Sequence, residues 1–177
     1  MRKIELLSPS GDFERLKLAV KFGADAVYAG GTMFGMRTNP SNFDADQLQE
    51  AVSFVHKNNK KIYLTCNTLP RNPEMEMLPD YLKYVSQIAL YSLIIADMGV
   101  LSLAKKYAPD TEIHISTQAG IVNYQAANAF YEMGAKRIVT ARELSLDEIR
   151  TIRDKTNPKL EIETFVHGAM CMSFSGR

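Results

Sequence analysis

The sequence is poor in the features that would set it apart from an ordinary globular protein. It has two cysteines, Cys66 and Cys171, far apart in the chain. That excludes a disulfide scaffold and makes a reducing cytoplasm the expected location. Long apolar runs are missing: the longest, around Leu93 to Ala96, is stopped by Asp97, far short of the roughly 20 residues of a membrane span. The amino terminus carries no apolar stretch of the kind a signal peptide needs. Charge of one sign is also lacking, since 21 basic against 20 acidic side chains leave a formal charge of +1. A chain without a global positive field must build any anion site locally.

What is present is the mixture of a folded domain. At 177 residues, with 46% hydrophobic and 23% charged residues, the chain can bury a sizeable core and has little room for a second domain. Short β-type runs recur at Ile4–Leu7, Ala26–Ala29, Lys61–Cys66, Leu93–Ala96, Glu112–Ile115, Arg137–Thr140 and Glu161–Val166. Helix-period segments alternate with them. Leu48, Ala51, Val52 and Val55 carry one amphipathic stripe, and Val100, Leu103, Ala104 and Tyr107 another. Ser145-Leu-Asp-Glu148 reads as a capping box. Gly23 and Gly134 each open a Gly-Ala-x-x-(Val/Ile) segment, the left-handed residue that ends a helix before the next strand. Seven strands and six helices in alternation predict a parallel sheet, either doubly wound or a (β/α) barrel.

The polar residues discriminate. Nearly all follow strand ends, on all seven loops, and a barrel gathers such loops around one mouth. The predicted fold is therefore an incomplete TIM-like (β/α) barrel over 1–177, lacking an eighth strand. Its open edge is expected to invite self-association.

Four arginines, Arg37, Arg71, Arg142 and Arg177, lie in these loops. Their planar forks suit carboxylate and phosphate oxygens, so a cluster at the mouth would bind an anion; arginines in loops also serve as helix caps or solvated charges. Two strands are chemically odd for a parallel sheet: the fifth holds His114 and Ser116, the seventh Glu161, Glu163 and then His167. Alternation puts His114 opposite in facing to Ile113 and Ile115, so His114 and Glu163 can meet across the interior. Such a pair is either catalytic or simply self-satisfying. Cys66, in a strand, reads as a small core residue. Cys171 differs, because Gly168, Ala169, Ser173, Ser175 and Gly176 leave room for a bound group beside it. One thiolate makes neither a zinc site nor a cluster.

The stretch Glu163-Thr-Phe-Val-His-Gly-Ala-Met-Cys-Met-Ser-Phe-Ser-Gly-Arg177 resembles the signature of the U32 peptidase-like family, the collagenase-like proteases. The resemblance extends through Glu5-Leu-Leu-Ser-Pro-Ser-Gly-Asp12, Gly23-Ala-Asp-Ala-Val-Tyr-Ala-Gly30, Phe34-Gly-Met-Arg37, Asn67-Thr-Leu-Pro-Arg-Asn72, Ser116-Thr-Gln118 with Asn123, and Arg142-Glu-Leu-Ser145. It is nearest to the branch linked to hydroxylation of a tRNA wobble uridine. The resemblance implies a barrel-like N-terminal domain with further sequence after it. It also implies a 4Fe-4S cluster in the full-length protein, with Cys171 as its first ligand, and a prephenate-like carboxylate donor with tRNA as partner. This segment, holding one of about four ligands, is expected to bind no cluster and to be inactive alone.

The candidate catalytic residues are then Glu163, His167 and His114. The candidate substrate-binding residues are Arg37, Asn67, Arg71, Ser116, Gln118, Asn123, Arg142 and Arg177, with Cys171 the candidate metal ligand. Two other readings follow from the same residues. One is a U32-type peptidase, although no H-E-x-x-H or G-x-S-x-G occurs; the other is a non-catalytic structural or RNA-docking segment.

Overall fold

A computed structural model gives the fold, and it describes residues 4–36, 42–168 and 175. Seven parallel strands lie in chain order in one sheet: β1 (Leu7–Pro9), β2 (Ala26–Gly30), β3 (Lys61–Cys66), β4 (Ser92–Ile95), β5 (Glu112–Ile115), β6 (Arg137–Val139) and β7 (Glu161–Glu163). Each of the six crossovers carries a full helix: α1 (Phe13–Lys21), α2 (Ala45–Lys57), α4 (Leu78–Gln87), α5 (Met98–Tyr107), α6 (Tyr124–Glu132) and α7 (Leu146–Lys155). The third crossover adds one turn, α3 (Asn72–Met75), and a 3₁₀ turn at Thr117–Ala119 precedes α6. Pro79 in the first turn of α4 has no N–H to continue the preceding turn, which keeps α3 separate. The sheet curls into a half-barrel whose edges are β1 and β7.

Local chemistry sets the element boundaries. Ser145 Oγ accepts from the Glu148 amide at 3.3 Å while Glu148 Oε2 accepts from the Ser145 amide at 2.7 Å, so the expected capping box is formed. Gly23 and Gly134 have φ of 101° and 103°, the conformation in which a side chain would be strained. The two edge strands are shorter than their sequence runs. Pairing of β1 with β2 starts at Leu7 rather than Ile4, because the carbonyl of Leu6 already takes the amides of Asp25 and Ala26. β7 ends at Glu163 instead of Val166, which is 88% exposed: beyond Thr140, whose amide reaches the Glu163 carbonyl, there is no adjacent strand to pair with.

Register divides the side chains into two populations. Val27, Ala29, Ile62, Leu64, Cys66, Leu93, Ile95, Ile113, Ile115 and Ile138 face the helices and pack with Leu48, Ala51, Val52, Val55, Leu82, Val100 and Ala104 in one apolar core. The opposite face, the barrel interior, carries Tyr28, Tyr63, Ser92, Ile94, His114, Arg137, Val139, Glu161 and Glu163, as the paired positions Tyr28–Tyr63, Tyr63–Ser92, Ile94–His114, Arg137–Glu161 and Val139–Glu163 require. The helix-side core supplies the hydrophobic stabilisation, and the interior is free to carry polar groups. Among the described residues no helix is long and apolar enough to cross a membrane.

Leu64 is fully buried in the interior strand β3. The substitution Leu64→Ala is expected to cost about 2–5 kcal/mol, read as a lowered denaturation midpoint with an unchanged denaturant slope.

Candidate active site at the barrel mouth

The C-terminal ends of the strands surround a cavity of about 350 Å³, within the usual size range of small-ligand sites. Every strand from β1 to β7 contributes to it or supplies a loop that does. Its apolar wall consists of Tyr28, Met36, Ile94, Val139 and Phe165; its polar wall of Asn42, Thr65, Asn67, Ser116, Thr117, Gln118, Arg142, Glu163 and Ser175. Gly30 lets the wall come close, since a Cβ there would stand 3.3 Å from the Asn42 amide.

Of the residues expected from the sequence, Asn67, Ser116, Gln118, Arg142 and Glu163 converge on this cavity. Asn67 Oδ1 accepts from the Met36 amide at 3.1 Å and so holds the loop after β2 against the loop after β3. Ser116 Oγ caps the 3₁₀ turn by accepting from the Gln118 amide at 3.4 Å, which leaves the Gln118 side chain against the Met36 sulfur. The Arg142 guanidinium lies 3.8 Å from the centre of the Phe165 ring, a cation–π contact that makes a flat, positively charged rim.

Three further candidates lie elsewhere. Asn123 caps α6, its Oδ1 accepting from the Ala126 amide at 2.9 Å, and Arg71 caps α3 while its amide donates to Glu74 Oε2 at 2.7 Å. Neither lines the cavity. His167 is exposed beyond β7. Arg37, Cys171 and Arg177 lie outside the described residues.

The expected His114–Glu163 pair is replaced by two separate arrangements. Both side chains face the interior, as alternation requires, but they sit on strands separated by β6, whose Arg137 stands between them. His114 Nδ1 and Ser92 Oγ are 3.1 Å apart, His114 Nε2 is 3.7 Å from Glu112 Oε2, and the ring meets Tyr63 edge-on. Burial, against the pull of Glu112, lowers the histidine's proton affinity and keeps the ring neutral. Glu163 Oε2 lies 3.3 Å from Arg137 Nη1. Burial pushes its carboxyl above the ordinary carboxylate range, with Arg137 pulling the other way.

Sequence reasoning missed Arg137 and its partner Glu5. The available signal was a charged residue at the start of a parallel strand, opposite Glu161 at the start of the next. Glu5 Oε1 accepts from Arg137 at 2.7 Å and from the Tyr63 hydroxyl at 2.5 Å, and its Oε2 accepts from Lys61 at 2.9 Å. Burial raises the Glu5 carboxyl, but these three donors outweigh it and hold the group at about 2. Glu143 was also missed as a site residue. Its two carboxylate oxygens accept from the amide and the hydroxyl of Ser175, both at 2.6 Å, pinning part of the signature stretch to the loop after β6.

The described residues hold no group of three or more histidine, cysteine or acidic side chains placed for a metal ion. Cys66 is fully buried behind the sheet, and burial pushes its thiol up to about 12, so it is no source of thiolate. With two cysteines in the sequence, the chain's own residues do not fit a cluster that takes about four thiolates.

The family model described as peptidase family U32 matches residues 11–177. Over 176 residues the chain is 43% identical to tRNA hydroxylation protein P1 of Bacillus subtilis, a match covering 99% of this chain and 41% of that protein. It is 40% identical over 175 residues to a 23S rRNA 5-hydroxycytidine synthase of Escherichia coli, covering 99% of this chain and 26% of the relative. The chain thus spans well under half the length of these relatives. A solved U32 peptidase structure superposes with a TM-score of 0.75 at 17% identity, over 93% of this chain and 70% of that one, which is a likeness of fold.

The Glu5 carboxyl makes acid stability a direct readout of the interior network. A group held at about 2 instead of the ordinary 4.5 stabilises the fold above the ordinary value, and that contribution is lost as pH falls from one value to the other. Denaturant midpoints measured between pH of about 6 and about 2 are expected to fall more steeply in the wild type than in Glu5→Gln.

Proposed function

The chain belongs to the U32 peptidase family, and from that membership together with the mouth cavity we propose that it is the barrel part of an RNA-hydroxylating protein. The observation that carries this is the cavity itself: one small pocket at the catalytic end of a barrel, walled by aromatic and amide side chains, with one acidic group, Glu163. Amides of Asn67 and Gln118 suit the donor and acceptor edge of a nucleobase, and the Phe165 ring stacked with Arg142 suits a base face and a phosphate beside it. An enzyme that modifies a base takes it out of its stack into such a pocket. Relatives named for tRNA hydroxylation and for rRNA hydroxycytidine synthesis support RNA as the substrate class. The finer reading is a wobble uridine of tRNA in the cytoplasm, with a prephenate-like carboxylate as donor.

In this reading a 4Fe-4S cluster serves the complete protein and takes Cys171 as one ligand, the other thiolates coming from residues that this chain does not contain. The chain's own contribution is binding and proton handling: Arg142 and the amides orient the ligand, and Glu163 exchanges a proton with it at Oε1 or Oε2. Peptide hydrolysis draws no support from the cavity. Ser116 Oγ accepts from the Gln118 backbone amide and donates to Gln118 Oε1, and the buried Ser92–His114 pair does not line the cavity, so among the described residues no nucleophile–histidine dyad opens onto it.

Deleting the gene is expected to remove one hydroxylated uridine from total tRNA, read by mass spectrometry of nucleosides. Complementation with Glu163→Gln is expected to restore about one hundredth or less of the modification, and Gln118→Ala an intermediate amount. Unchanged tRNA together with hydrolysis of a peptide by the purified full-length protein would establish the peptidase instead. RNA affinity with a steep salt dependence, with modification intact in the Glu163→Gln strain, would reduce this barrel to a docking part.

A further inference from the structure

The guanidinium of Arg137 stands among three carboxylates that it serves unequally. Glu161 Oε2 accepts from Nε at 2.8 Å and from Nη2 at 2.5 Å. Glu5 Oε1 accepts from Nη1 at 2.7 Å, with Tyr63 and Lys61 donating to the same carboxylate. Glu163 has Nη1 at 3.3 Å, the nitrogen already given to Glu5. Arg137 and Lys61 are two cations facing three carboxylates, so one negative charge is in excess. Glu163, with the longest contact and a position under the cavity, is the carboxylate left over.

Among the described residues, the other elements around Glu163 bring no second cation against its carboxyl. β5 contributes His114, neutral by burial, and Glu112, a further negative charge turned toward the histidine. β1, β2 and β4 contribute Pro9, Tyr28 and Ile94, and the loop after β6 brings Arg142, whose guanidinium lies over Phe165. Burial raises the Glu163 carboxyl, and the charges of Glu5 and Glu161 raise it further against Arg137. A like charge nearby is what keeps one member of a carboxylate group protonated.

We infer that Arg137 is a positioning residue that fixes the Glu163 carboxyl in the cavity floor, while the crowding of Glu5 and Glu161, which Arg137 offsets only in part, favours the carboxylic acid there, presenting an O–H donor to a carbonyl or carboxylate oxygen of the ligand. An ionised glutamate would repel an anionic ligand there, whereas the acid donates to it. The inference concerns the cavity of the proposed function. The titration that tests it is read without RNA, so either can fail while the other stands.

The experiment is a carbon NMR titration of the full-length protein labelled at the glutamate carboxyl carbons, with the Glu163 signal identified by its loss in Glu163→Gln. In the wild type it is expected to titrate above an ordinary glutamate. Glu161→Gln removes a half-exposed edge carboxylate and releases Nε and Nη2, and is expected to move the Glu163 titration down by about one pH unit. Arg137→Gln is expected to move it up, and Arg137→Lys to restore part of the shift. If Arg137→Gln does not fold, Glu161→Gln decides alone. A wild-type Glu163 titrating at or below the ordinary glutamate value, or one unmoved by Glu161→Gln, overturns the inference.

Discussion

The Arg137 guanidinium ties the two edges of an unclosed sheet to each other. From β6 it reaches Glu5 just before β1 and Glu161 and Glu163 on β7, with Tyr63 under its face. A charge this deeply placed is tolerable only when surrounded by partners. Once it is there, the curvature of the sheet is constrained, because the carboxylates must converge on one point. The residues directly above that point form the floor of the mouth cavity. Geometry of the site and electrostatics of the interior therefore share one origin.

The division of labour between the two faces of the sheet makes this possible. Packing between sheet and helices uses aliphatic side chains almost throughout, so the interior face need not contribute much hydrophobic stabilisation. Its small apolar group is Ala26, Tyr63 and Ile94 with Leu7 and Tyr28, and the ion-pair cluster reaches the mouth through Glu163, which lines the cavity. Burial then acts differently on each titratable group. Glu5, with three donors, is held low; Glu163, with one shared donor, is held high; His114 stays neutral. One environment sorts chemically similar carboxylates into different protonation states.

Glu143 shows a second kind of dependence, of one loop on another. Its carboxylate binds both polar groups of Ser175, while the Arg142 amide donates to the same hydroxyl at 3.3 Å. Neighbouring residues thus do different work. Arg142 turns its guanidinium to the cavity and its backbone to the signature stretch, whereas Glu143 serves that stretch alone.

Strand order, helix positions, the capping box at Ser145 and the left-handed glycines were legible in the sequence because each rests on local spacing or on a single residue's conformational freedom. The opposite facing of His114 and its isoleucine neighbours was legible for the same reason, since alternation is a property of one strand. So were Asn67, Ser116, Gln118 and Arg142 as mouth residues, because they follow strand ends and a parallel barrel carries its loops to one side, and Glu163 as an inward-facing residue of the seventh strand. Partner choice was decided only by the tertiary structure. Whether Glu163 meets His114 or Arg137, whether Asn123 lines a cavity or caps a helix, and that Glu5 joins a network with β6 and β7 depend on strand stagger and sheet curvature. Those quantities arise from packing every element at once, and no window of the sequence contains them.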